Sequence, residues 1–246
     1  MKRIYETSGY VSDNLTHWVG QGLEVSKSFD ILTKIIKTRE LKFGESLIYE
    51  NNNKETGIYT KIGQKMICFT DTPIEQSHAH QKKYSCFGIS FNKEKLIPYG
   101  AHPVFYILEK HIDFIKFVDD LIDGYRYNHQ TDYIKPWLGS FFQPYDTNKN
   151  KGFPEYFERE WRISRVLPSR YKEQFEKCNG KIIEHNFKGV IRREEKDKCE
   201  NDDFFLKFEK DDINSIIVLE GYEEQMETLL SNLDIKCELI CLIKDK

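Results

Sequence analysis

The chain has no glycine-rich phosphate loop, no C-x-x-C pair, and no apolar run near the roughly 20 residues of a membrane span. It also lacks an excess of basic charge. With 37 Lys and Arg against 40 Asp and Glu, the net charge is -3, which excludes a global basic footprint for gripping duplex nucleic acid by phosphate neutralisation and leaves only a local groove open. Six cysteines (Cys68, Cys86, Cys178, Cys199, Cys237, Cys241) are scattered, most of them in apolar runs such as "MICFTD" and "KCELICLIK", and read as buried, reduced thiols. The opening "MKRIYETSGY" lacks the apolar centre of a signal peptide, so the expectation is a soluble cytoplasmic protein with no membrane contact. Alanine is scarce while lysine, asparagine, tyrosine and phenylalanine are abundant, a composition typical of AT-rich bacterial coding sequence. Internal repeats are absent, and the one biased tract, "RREEKDKCENDD", reads as a solvated connection.

What is present is enough for a sizeable core. A chain of 246 residues needs neither disulfides nor metal to be stable, and the expectation is a single α+β domain over residues 1–246. "NLTHWVG" reads as a strand. In "SKSFDILTKIIKTRELKFG" Ser28 is placed to cap a helix, Asp30 suits its first turn, Leu32, Ile35, Ile36 and Arg39 share a side, and Gly44 marks an end. "IYENNNKETGIYTKIGQ" reads as a mobile loop or loose hairpin that could cover a site. Strands are expected in "KMICFTDTP", "YSCFGISFNK" and "HPVFYIL", with Pro73 as a first helical residue, and a helix in "HIDFIKFVDDLIDGY". An irregular, aromatic insertion over about 125–151 precedes the strand of Glu160. Four further strands ("FKGVIRR", "FFLKFEK", "INSIIVLEG", "CELICLIK") and a helix carrying Met226, Leu229, Leu230 and Leu233 on one face complete a mainly antiparallel layout.

The stretch "YFEREWRIS" raises the chemical question. Residues two apart on a strand face the same side, so Glu158 and Glu160 would share a face, where like charges repel unless something uses them. One reading pairs them with Arg159, Arg162 or nearby lysines on a wet edge strand. The other notes that Trp161, Ile163 and Val166 imply burial close by, and a part-buried glutamate needs a partner or a task.

"LTHWVG", "ILTKIIKTRELKFG", "ICFTDTPIEQSHAHQKKYSCFGISFNKEKLIPYGAHPVFYI" and "EREWRIS", in that order, resemble the AbiGi family of abortive phage infection proteins over roughly the first two-thirds of the chain. The same order is similar, more distantly, to ADP-ribosyltransferase folds, including DarT-type enzymes that modify nucleic acid. That resemblance implies an ADP-ribosyltransferase-like split sheet, mixed or antiparallel and flanked by helices, with NAD as substrate. It places His17 at the early-strand position, Thr70 and Thr72 at the middle one and Glu160 at the catalytic one, with Glu158 orienting an acceptor nucleophile. Asp71 stands where the DarT-type pattern has a basic residue. Cleavage of the nicotinamide–ribose bond passes through an oxocarbenium-like state that the Glu160 carboxylate would stabilise, while His17 holds a ribose and Trp18, Tyr84 or Trp161 stacks on nicotinamide.

Other side chains rank lower. His78 and His80 form an H-x-H that a helix would not present on one face, so no metal is expected. Cys68 has apolar flanks that oppose thiolate formation, and His17 has a plain reading as a core histidine. Tyr125, Tyr127 and Trp137 with Arg126 and Lys135 would either line a groove for a single strand or pack the insertion. The leading expectation is an NAD-dependent transferase of anti-phage defence or a toxin–antitoxin system, acting on a nucleic acid or protein acceptor. The alternatives are a non-catalytic antitoxin bound to its toxin, a module that senses a phage protein, and an NAD glycohydrolase.

Overall fold

Residues 12–53, 58–108, 141–145, 159–165, 190–193 and 203–243 are described by a computed structural model. In chain order the first strands are β1 (Asn14–Trp18), β2 (Glu40–Lys42), β3 (Gly44–Asn53), β4 (Ile58–Thr70), β5 (Gly88–Asn92), β6 (Ala101–Pro103) and β7 (Phe105–Leu108). Then come β8 (Phe142–Tyr145), β9 (Glu160–Arg165), β10 (Val190–Arg193), β11 (Asp203–Lys207), β12 (Ile213–Leu219) and β13 (Glu238–Leu242). The α-helices are α1 (Val25–Thr38), α2 (His78–Lys83), α3 (Lys93–Leu96) and α4 (Glu223–Asn232). This is a mixed α+β fold with a sheet of mixed strand orientation, as the patterning indicates.

Two units are distinguished: Met1–Leu41, Phe69–Tyr99 and Lys207–Lys246 make the first, Lys42–Cys68 and Gly100–Leu206 the second. In the first, β5 is central, antiparallel to β1 on one side and to β12 on the other, and Thr16 of β1 pairs with Thr70. Continuous apolar strands need cover on both faces, and β5 and β12 meet that demand with Ile89, Phe91, Ile216, Ile217 and Val218 all buried. The close approach at Gly88 follows from its missing side chain, since a Cβ there would lie 3.2 Å from both Ile217 and Trp18. Helix α4 buries Met226 and Leu230 and leads into β13, which runs parallel to β12. A βαβ crossover of this kind is the standard way to join parallel neighbours. The hydroxyl of buried Tyr99 donates to the Asp212 carboxylate at 2.7 Å, and burial followed by that bond pushes its pKa up.

Helix α1 buries Ser28, Phe29, Leu32 and Ile36, an amphipathic spacing, and its bounds correct the sequence reading twice. Its N-cap is Glu24, so Ser28 lies inside the first turns, where its hydroxyl donates back to the Gly20 and Glu24 carbonyls. It ends at Thr38, well before Gly44, because Arg39 turns left-handed (φ 56°) and its N–H bonds the Ile35 carbonyl at 2.7 Å. Pro73 precedes a 3₁₀ turn over Ile74–Gln76 and is not its first residue.

In the second unit β3 and β4 form an antiparallel hairpin from Gly44↔Met66 to Asn53↔Ile58, so the polar segment chosen as a loop or loose hairpin is a hairpin. Strand β9 lies between β4 and β6 and pairs antiparallel with the latter, Ala101 opposite Ile163. Part of the expected irregular insertion is regular: β8 pairs in parallel with β7, Phe105 opposite Phe142, and the remainder of 125–151, like the helix expected in "HIDFIKFVDDLIDGY", lies outside the described residues. Strands β10 and β11 pair antiparallel.

Candidate functional site

Glu160 opens β9. Arg159, just before it, takes a left-handed conformation (φ 47°). Glu158 lies outside the described residues, and with it the expectation that the two carboxylates share a face.

The partner of Glu160 is two residues on, where strand alternation returns to the same face. Arg162 clamps the carboxylate with both ends of its fork, Nε donating to Oε1 at 2.8 Å and Nη2 to Oε2 at 2.7 Å. Both side chains are largely enclosed, at 4% and 11% exposure. The same guanidinium donates to the Phe142 carbonyl at 3.3 Å and to Gln143 Oε1 at 2.5 Å, and the Glu160 N–H donates to the Tyr106 hydroxyl at 3.1 Å. Burial works against the Arg162 charge, and the hydrogen-bonded Glu160 more than offsets it, so the Arg162 pKa is raised. Bidentate, charge-assisted pairing is the strongest bonding such groups make, and it fixes Glu160 rigidly. Sequence reasoning weighed Arg162 only as one partner for a wet edge. The spacing E-x-R in a strand that then buries Ile163 was the signal for an enclosed pair.

In the first unit, His17 and Trp18 end β1, opposite Ile89 and Gly88 of β5. The His17 ring packs on Phe69 with centroids 5.7 Å apart. The Trp18 Nε1 is buried and has no hydrogen-bond partner among the described residues. Thr70 and Thr72 are buried and bonded to each other: the Thr70 hydroxyl donates to Thr72 Oγ1 at 3.0 Å, and the Thr72 N–H donates to Thr70 Oγ1 at 3.1 Å. This is a local turn that caps the end of β4. Between them, Asp71 is buried and paired with Lys93 at 3.3 Å, whose ammonium also donates to the Ser12 carbonyl at 2.7 Å. So the acidic residue at the resemblance's basic position has a lysine beside it, brought from the start of α3. Tyr84 stacks near His80, centroids 6.3 Å apart.

His17, Trp18, Thr70, Thr72 and Tyr84 thus belong to the first unit, and Glu160 and Trp161 to the second. His80 is buried while His78 is exposed, since residues two apart on a helix face different sides, and no cluster of three or more metal-binding side chains occurs among the described residues. The expectation of buried cysteines is corrected: Cys68, Cys86 and Cys237 are only partly enclosed and Cys241 is exposed, while Cys178 and Cys199 lie outside the described residues. No described helix is long and apolar enough to cross a membrane.

The fold is therefore a mixed α+β protein in which a buried arginine clamps a glutamate with both ends of its fork. The model of the family described as "Putative abortive phage resistance protein AbiGi, antitoxin" matches residues 40–219, and the chain belongs to that family. No curated protein and no solved structure matches.

Proposed function

We propose that the protein neutralises a toxin by binding it, as the antitoxin of an abortive phage infection system, and performs no chemistry of its own. The family description supplies the role. The observation that carries the non-catalytic part is the Glu160 clamp. A carboxylate that stabilises an oxocarbenium ion must offer an oxygen to a ribose hydroxyl as positive charge grows. Both oxygens of Glu160 are already engaged by a buried guanidinium, and freeing one would leave part of that charge unpaired.

The second reading is an ADP-ribosyltransferase-like enzyme that uses NAD, with Glu160 and Glu158 acting on a nucleic acid or protein acceptor and His17, Trp18, Thr70, Thr72, Tyr84 and Trp161 holding the cofactor. The buried Trp18 Nε1 favours it, since an unmet donor is what a ligand's polar group would satisfy. An NAD glycohydrolase would rest on the same residues, whereas a module that senses a phage protein would keep the fold without NAD.

The test is growth rescue and co-elution when the chain is co-expressed with the toxin of the same system, beside an assay for nicotinamide release. Rescue with a stable complex and no nicotinamide is the expected result. Nicotinamide release at enzymatic rates, lost with His17→Ala, would overturn the binding reading.

A further inference from the structure

We draw no further inference here: the strongest candidate, the buried Trp18 Nε1 on the face of the first unit's sheet that also carries the hydrogen-bonded Thr16 and Ser90 hydroxyls of β1 and β5, belongs to the site already described for the NAD-using reading.

Discussion

Arg162 shows how one side chain settles what a carboxylate is for. Its guanidinium sits at 4% exposure against both oxygens of Glu160. Taking Glu160→Gln removes the charge and leaves the arginine enclosed, with the Phe142 carbonyl, Gln143 and a neutral amide among the groups around it. Breaking one partner of a buried pair costs about 3 to 5 kcal/mol, and the remaining acceptors place this case at the lower end, about 3 kcal/mol in a urea titration. Replacing both, Glu160→Leu with Arg162→Met, should return most of that loss, because no charge is then left unpaired. A loss under about 1 kcal/mol for Glu160→Gln, the range of solvent-exposed pairs, would refute the clamp as a structural unit. The same variant bears on activity: toxin neutralisation should fall only in proportion to the folded protein remaining.

At the scale of elements, the apolar patterns were legible and the junctions were not. The strand runs around Ile89, Ile216 and Ile240 and the helix with Met226 and Leu230 stand where alternation and 3.6-residue spacing put them, because burial of one face or of both is what those patterns encode. The start of α1 was misplaced by a competing signal. Ser28 has the chemistry of a cap, yet it bonds the Gly20 carbonyl from inside the helix. Likewise "YFEREWRIS" hid a left-handed Arg159, a conformation no pattern of residue types announces. The enclosed Glu160–Arg162 pair was hidden for another reason: Gln143 and the Phe142 carbonyl come from β8, distant in sequence. Gly20 offers a test of the α1 junction. Its φ is +95°, and a Cβ there would fall 2.2 Å from the Ser28 hydroxyl and 2.9 Å from the Ser28 Cα, whereas at Gly22 (φ +73°) a Cβ would meet nothing within 4 Å. Gly22→Ala should cost only the left-handed penalty, about 1 kcal/mol, and Gly20→Ala at least about 2 kcal/mol, since the clash adds to it. Equal shifts in urea midpoint for the two would mean that Ser28 does not pack against the turn.

For the whole molecule, the competing functions differ in what the folded state binds, and folding stability reads that directly. A ligand that binds only the native protein stabilises it by about 2.7 kcal/mol at a hundred times its dissociation constant. For domains of 150–250 residues that is a rise in Tm of about 5–10 °C. An antitoxin should show such a rise with its toxin and none with NAD, because the only site assigned to NAD depends on a glutamate whose oxygens are already bonded. A transferase should show the reverse, and the rise should disappear in Trp18→Phe, which keeps the stacking ring and deletes the buried indole N–H that a ligand would satisfy. The measurement is a melting series with toxin, with NAD and with both, on the wild type and on Trp18→Phe. Stabilisation by toxin that is unchanged when NAD is added supports binding as the function. Stabilisation by NAD alone that Trp18→Phe removes would transfer the assignment to the enzyme, and Glu160 would then have to part from Arg162 before any ribose could reach it.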